Sequence, residues 1–223
     1  NIAGIDIAFE CRFAKQVGGD LYDWRKIGEN RLAVCVGDVS GKGCPAALYM
    51  ARALNELRHA YEDGRTPGQL NQTLNAMLSE GENSGMFLTL FYAVIDMEKK
   101  KIFFSNAGHE PLIYYSSATK KSRLDAKAQG MPLGLFGEAA YETGEISYQK
   151  GDVFIVISDG VKEARNPKKE EFGTERLKNL MERESSRDAN AKSILAKIFE
   201  SLDEHRRGAS PHDDQTIFCV RFD

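Results

Sequence analysis

The sequence predicts an α+β domain with mainly antiparallel sheets, and three observations lead there. Runs with apolar residues at period two are grouped together, and paired helical patterns interrupt them. The links between successive strand-like runs are short polar turns, which join antiparallel neighbours. The chain has 223 residues, about 1.5 times a typical domain length, which favours one domain (1–223) with a sizeable core.

The first strand is 5–13, where Ile5, Ile7, Phe9, Cys11 and Phe13 alternate with Asp6, Glu10 and Arg12. Strands at 21–27 and 31–39 follow, parted by the turn Gly28-Glu29-Asn30. Residues 32–36 are apolar throughout, as in a strand covered on both faces. Helical periodicity then takes over at Pro45, a residue suited to a first helical turn. Ala47, Met50, Leu54, Leu57 and Tyr61 step by three and four to form one apolar stripe, the helix running to Glu62 and stopping at Gly64. Thr66-Pro67-Gly68-Gln69 has the form of a capping box and opens a second helix with the stripe Leu70, Leu74, Met77. Strands return at 88–95, 101–106, 112–115, 142–147 and 152–158. A second helical pair follows: 174–183 with Leu177, Leu180 and Met181, then 189–205 with Ile194, Leu195, Ile198, Phe199 and Leu202. A strand at 215–222 ends the pattern, and no internal repeat or low-complexity segment interrupts it.

Composition removes several function classes. Thirty Lys and Arg against 33 Asp and Glu leave a net charge of -3, without the basic excess of a non-specific nucleic-acid binder. The four cysteines form no CxxC pair and no zinc spacing. Cys11 and Cys35 lie in strand-like runs, so buried reduced thiols in a reducing, cytoplasmic compartment are expected. The longest mostly apolar stretch, 86–95, is far short of the roughly 20 residues of a membrane span, so direct membrane insertion is not expected. The opening residues alternate and carry charges, unlike a signal peptide. Because strand-like pattern begins at once and without a methionine, the expectation is a domain excised from a longer protein.

Acidic residues recur beside glycine at the ends of apolar strands: Gly18-Gly19-Asp20, Gly37-Asp38-Val39 and Ser158-Asp159-Gly160. A further pair, Asp213-Asp214, directly precedes the last strand. Asp and Gly are common in turns for purely local reasons. Four such sites, each at the edge of a β run, instead suggest oxygen ligands for a hard cation on a rigid scaffold. The stretch Gly37-Asp38-Val39-Ser40-Gly41-Lys42-Gly43 is not a phosphate loop, because Val36 stands where its first glycine is required and Gly43 where Ser or Thr is required. Among the histidines, His59 and His205 read as surface residues late in helices, His212 precedes the carboxylate pair, and His109 lies in the compact turn Asn106-Ala107-Gly108-His109-Glu110-Pro111. No GxSxG elbow supports a Ser/His/Asp triad.

With these blocks in view, the chain resembles the metal-dependent protein phosphatases of the protein phosphatase 2C-like (PPM) superfamily. It is most similar to their bacterial branch, typified by the stage II sporulation protein E phosphatase and stress-response regulator phosphatases. The blocks are VGGDLYDW (17–24), VGDVSGKGCPAAL (36–48), FLTLFYAVID (87–96), NAGHEPLI (106–113), GMPLGL (130–135), GDVFIVISDGVKEARN (151–166), FGTERL (172–177) and DDQTI (213–217), in the family's order.

The resemblance implies two antiparallel sheets packed as a sandwich between helical layers (α-β-β-α). It implies two divalent cations, Mn²⁺ or Mg²⁺, about 4 Å apart as in two-metal hydrolases. Asp38 aligns with the bridging ligand, the Val39 carbonyl with its neighbour, Asp159 and Asp213 with ligands of the second metal, and Asp20 with an acidic residue that reaches the metals, often through water. Gly19, Ser40, Gly41, His109, Gly160 and Asp214 fall beside these positions, as supporting or substrate-side candidates. The chemistry implied is hydrolysis of phosphoserine or phosphothreonine by metal-activated water, with no phosphoenzyme. Departures from eukaryotic members are Ser40 where they carry a histidine, His109 where they carry an aspartate, and Lys15-Gln16-Val17 where a phosphate-clamping arginine is expected. Asp214 stands where other branches carry asparagine.

In this branch the usual substrate is a small anti-sigma-factor antagonist, which gives the expectation of a partner-switching phosphatase that controls a sigma factor and sits downstream of a sensor domain. The competing expectation is a regulated phosphoprotein-binding domain that is inactive in isolation. A phosphodiesterase or nuclease is disfavoured by the acidic balance. The helix after the Asp38 loop is adjacent to it in sequence, so Leu54 and Leu57 are candidates for a regulatory switch, moved by an upstream domain or by homodimer formation.

Overall fold

The computed structural model describes residues 4–14, 18–41, 43–61, 64–79, 85–185 and 189–223. In order they form β1 (Ile5–Arg12), β2 (Asp20–Ile27), β3 (Arg31–Val39), α1 (Cys44–Ala60), α2 (Pro67–Ser79), β4 (Leu88–Asp96), β5 (Lys101–Ala107), β6 (Leu112–Ser116), β7 (Lys121–Asp125), β8 (Gln129–Gly130), β9 (Gly144–Ser147), β10 (Val153–Ile157), α3 (Asp159–Lys162), α4 (Thr174–Ser185), α5 (Ala191–Arg206) and β11 (Gln215–Phe222). They fall into two compact units. One takes in the described residues of Asn1–Ala14, Pro111–Asp125 and Tyr148–Asp223, the other those of Lys15–Glu110 and Ala126–Ser147.

In the first unit the strand order is β1-β11-β10-β6-β7, every neighbour antiparallel. The run Val-Phe-Ile-Val-Ile of β10 is buried at every position. Its alternate residues Val153, Ile155 and Ile157 join Ile217 and Cys219 of β11 in one core with Leu177, Leu180 and Met181 of α4 and Ile194, Ile198, Phe199 and Leu202 of α5. The apolar stripes read from the sequence are the ones buried here. Asn190 caps α5, its side chain accepting from Ser193 N at 2.8 Å, and Arg207 ends the helix in the left-handed region. The sequence pattern missed β7, whose residues Lys121-Ser122-Arg123-Leu124-Asp125 lack alternating hydrophobicity; an edge strand needs only one partner and tolerates charge. It also missed α3, which is a single turn.

In the second unit the order is β2-β3-β4-β5-β8, with β9 also pairing β5. Only the two-residue β8 runs parallel to its neighbour among the described strands. Odd-numbered residues of β3 (Ala33, Cys35, Val39) pack with α1 and α2. The face that α1 buries is Ala46, Tyr49, Ala53, Leu57 and Ala60; the expected stripe holds at Leu57 and at Tyr61 just beyond the helix, whereas Ala47, Met50 and Leu54 are only half-buried. Alanines at 46, 53 and 60 let the helix lie close to the sheet, while the bulkier Met50 and Leu54 pack along its flank. The end expected at Glu62 lies outside the described residues. The capping box is present: Thr66 N donates to Gln69 Oε1 at 3.0 Å and Gln69 N to Thr66 Oγ1 at 3.4 Å. On α2 Leu78 replaces the expected Met77, which is 39% exposed. Asn75 is buried there because its amide serves backbone: Nδ2 donates to Phe136 O and Gly137 O, and Oδ1 accepts from Gly134 N.

The observed class is the expected one, α+β with two mainly antiparallel sheets and helices. No helix of the described residues is long and apolar enough to cross a membrane.

All four cysteines are free thiols, but only Cys35 and Cys219 are buried; Cys11 is half-buried and Cys44 exposed at the start of α1. Desolvation pushes the Cys35 thiol up to about 12 and raises that of Cys219 too. For Cys35, the stability from keeping the buried thiol neutral is fully present below the ordinary value of 9.0 and is lost as pH climbs through about 12. At pH 8 a thiol-disulfide exchange reagent should label Cys44 at once and reach Cys35 and Cys219 only after unfolding. Immediate release of four equivalents from the native protein would contradict this placement.

Candidate functional site

The first acidic cluster belongs to the unit with α1 and α2. The β2–β3 register sets Asp20 opposite Asp38, and the β3–β4 register sets Asp38 opposite Thr89. Residues directly opposite share a sheet face. For Asp20, Asp38 and Thr89 it is the face turned away from α1 and α2, since Val39 and Leu88 pack on the helical side. Asp20 is buried and Asp38 half-buried. Two carboxylates held opposite one another repel, an arrangement that a cation would offset.

Glycine makes the close approach achievable. A Cβ on Gly19 would stand 2.7 Å from Val39 O and 3.0 Å from Asp38 Oδ1, and one on Gly37 would stand 2.7 Å from Thr89 O. Val39 N donates to Gly19 O at 3.2 Å. Beyond the strand, Ser40 pairs with Phe87 through both its backbone N and its Oγ, each at 2.9 Å. Gly41 and Gly43, at φ +95° and +81°, then turn the chain into α1. Lys42 lies outside the described residues, as do Lys15, Gln16 and Val17 of the expected clamp position.

His109 belongs to the same cluster. It is buried in the turn after β5, where Asn106 holds its backbone: Oδ1 accepts from His109 N at 2.7 Å, and Nδ2 donates to His109 O at 3.0 Å and Glu110 O at 3.1 Å. Its Nδ1 lies 2.9 Å from Thr89 Oγ1.

The second cluster is in the other unit. Ser158 precedes α3, so Asp159 is that turn's first residue. Ser158 Oγ donates to Asp214 O at 3.2 Å and accepts from Thr216 N at 2.9 Å, which ties the end of β10 to the start of β11. Gln215 Nε2 adds a bond to Gly160 O at 3.2 Å. A Cβ on Gly160 would fall well inside 3.0 Å of Asp214 O, so the two loops pack backbone to backbone. The two adjacent aspartates part company here. Asp214 is buried and its Oδ1 accepts from Ala14 N at 2.8 Å, whereas Asp213 is half-buried, its Oδ1 accepting from Asp214 N at 3.1 Å.

Within one unit the structure brings together Gly19, Asp20, Asp38, Val39, Ser40, Gly41 and His109, and within the other unit Asp159, Gly160, Asp213 and Asp214. Leu57 is buried under α1 and Leu54 lies half-buried beside it. His59 is exposed as expected, but His205 is half-buried, edge-on to Phe172 with Nε2 3.0 Å from Glu170 O. The sequence reading gives no role to Thr89, Asn106 and Ser158, although each lies in one of its blocks. Each is one polar residue at the end of an apolar strand, the only local signal they carry. Among the described residues no three His, Cys, Asp or Glu side chains cluster closely enough to hold a metal ion alone. Carboxylates with a nearby backbone carbonyl nonetheless suit Mg²⁺ or Mn²⁺, because Mg²⁺ keeps several waters and takes only one or two protein carboxylates.

A family model described as Stage II sporulation protein E (SpoIIE) matches residues 28–223. The chain is 33% identical over 210 residues to phosphoserine phosphatase RsbU of Bacillus subtilis (strain 168), covering 93% of this chain and 60% of that one. Its structure is similar to that of the RsbU and RsbW domains of Rv1364c from Mycobacterium tuberculosis, with a TM-score of 0.85 and 23% identity over 99% of this chain and 62% of that chain. It is also similar to RsbX in complex with magnesium, with a TM-score of 0.74 and 17% identity over 98% and 96% of the two chains. The chain thus spans about three fifths of RsbU, with 60% covered.

Proposed function

We infer that this chain, which belongs to the stage II sporulation protein E family, is a metal-dependent phosphatase that hydrolyses phosphoserine or phosphothreonine on a protein substrate. The observation that carries the reading is Asp20 and Asp38 side by side at a sheet tip, their backbone pressed together by Gly19, in a chain 33% identical to a phosphoserine phosphatase. Asp20, Asp38 and the Val39 carbonyl are proposed to hold one divalent cation, and Asp159 and Asp213 another. When bound, such cations supply Lewis acidity and a water acidic enough to ionise near neutral pH. The protein's own residues hold and orient. Gly19 and Gly160 let backbone approach closely enough to aim the carboxylates. Ser40 and Ser158, the hydroxyls beside Asp38 and Asp159, are both engaged by backbone, which favours direct hydrolysis over a phosphoserine enzyme intermediate.

The same proposal places the chain as a phosphatase domain of a longer cytoplasmic protein with an upstream sensor, acting on a small anti-sigma-factor antagonist in partner switching. The RsbU and RsbW domains joined in Rv1364c support that setting. Leu54 and Leu57 would carry regulation, including any homodimer formation, because α1 leads directly out of the Asp38 loop. Its far end is anchored, Arg58 gripping Asp23 at 2.9 and 3.3 Å and the Tyr61 hydroxyl donating to Asp23 at 3.4 Å.

The test is hydrolysis of p-nitrophenyl phosphate with Mn²⁺, Mg²⁺ or EDTA. Turnover should require metal, vanish in EDTA and return when Mn²⁺ is restored. EDTA-insensitive turnover would overturn the metal-dependent reading. A folded protein that binds Mn²⁺ yet hydrolyses neither this ester nor a phosphoserine peptide would point instead to a phosphoprotein-binding domain.

A further inference from the structure

The peptide group between Asp38 and Val39 is held at both edges. On one side Val39 N donates to Gly19 O at 3.2 Å; on the other Asp38 O accepts from Thr89 Oγ1 at 3.3 Å. A peptide group is planar, so two bonds on opposite edges set its rotation. This peptide links the Asp38 side chain to Val39, whose carbonyl lies in the next peptide group, itself held by Ser40 N donating to Phe87 O at 2.9 Å; the side chain and that carbonyl are the two donors proposed above for one cation.

The Thr89 hydroxyl has one proton. A carbonyl oxygen can only accept, so that proton goes to Asp38 O. With that proton on Asp38 O, the contact of 2.9 Å between Thr89 Oγ1 and His109 Nδ1 runs the other way, Nδ1–H donating to the threonine oxygen. That direction calls for the Nδ1–H tautomer of a neutral His109 ring, which the first measurement below reads directly. The ring is itself held in place. Asn106 grips its backbone through two hydrogen bonds and the Glu110 carbonyl through a third, and Gly108, at φ +69°, leaves room for Pro132, which would lie 2.7 Å from a Cβ there. An ordered chain thus runs from the tip of β5 through His109 and Thr89 of β4 to the main chain of β3.

We propose that Thr89 and His109 are positioning residues, which act through the Asp38–Val39 peptide to orient the cation-binding donors. The proposal rests on the cation reading of that cluster. The Thr89 hydroxyl limits the movement of the main chain that carries the Asp38 carboxylate, one step further out than the hydrogen bonds commonly made to metal ligands themselves.

The test has two readouts. Long-range ¹H–¹⁵N spectra of the metal-free protein at pH 8 should show His109 as the Nδ1–H tautomer, an observation that needs no variant and no metal. An Nε2–H ring would overturn the proposal. Calorimetric titration with Mn²⁺ should show affinity reduced about tenfold or more in Thr89→Val and His109→Ala. Thr89→Ser should restore it to within about threefold of wild type, because the hydroxyl is what matters. Thr89→Val that binds Mn²⁺ like wild type, while Asp38→Asn does not, would overturn this proposal and leave the cation reading standing. Wild-type protein that binds no Mn²⁺ would overturn both.

Discussion

Asp38→Asn should lower kcat for p-nitrophenyl phosphate by about a thousandfold with Mn²⁺ present, close to 4 kcal/mol in the barrier. Asp159→Asn should do the same from the other cluster. The fold should survive both changes, because an amide occupies the same volume. For Asp38 the metal-free protein should even gain stability, since Asp20 stands directly opposite and like charges so placed cost about 0.2–1 kcal/mol. Melting curves with and without Mn²⁺ separate the effects: the variant should melt no lower than wild type without metal and should lose the stabilisation that metal confers. Either variant keeping more than about a tenth of wild-type kcat, a difference of only about 1.4 kcal/mol, would mean that the role assigned to that carboxylate is wrong.

Gly160→Ala is the second large effect. The new methyl group would meet the Asp214 carbonyl oxygen, which is backbone and cannot swing aside as a side chain could. Asp214 O is further held by Ser158 Oγ, so either the α3 turn or the start of β11 must shift. A cost of about 3 kcal/mol is expected, which lowers the melting temperature of a chain this size by about 6–12 °C. Because the same shift displaces Asp159 and Asp213, turnover should fall with stability. Gly137→Ala is the control: its methyl group meets only Ser79 Cβ at 3.8 Å, and the melting temperature should move by less than about 2 °C. Equal effects of the two substitutions would show that backbone contact at Gly160 is not what holds the loops.

Much of the scaffold could be read along the chain. Apolar runs, alternating in β1 and continuous in the middle of β3 and in β10, located the strands together with β4 and β11, and the capping box at Thr66 began α2 at its observed position. The helix faces were read less well. Apolar volume pointed to Met50 and Met77, whereas close packing of α1 on the sheet selected Ala46, Ala53 and Ala60, and α2 turned Leu78 inward. Hydrophobic pattern weighs side chains by size, while contact with a sheet is also decided by how near the helix axis can come. Asn71 and Asn75, polar residues that no pattern would assign to a core, are buried on α2.

The acidic positions divide along the same line. The residue order alone determined that Asp20, Asp38, Asp159 and Asp213 lie at the ends of strong β runs, the first three next to glycine, since alternation and turn residues are local properties. Only the tertiary structure decided that Asp38 faces Asp20 and Thr89, that His109 Nδ1 lies against Thr89 Oγ1, and that Asp214 is tied to Ala14. Ala14 and Asp214 are 200 residues apart in the chain, and Thr89 is 51 from Asp38. Hydrogen bonds between such distant groups depend on strand register and on which backbones can touch, quantities that no local window of sequence contains.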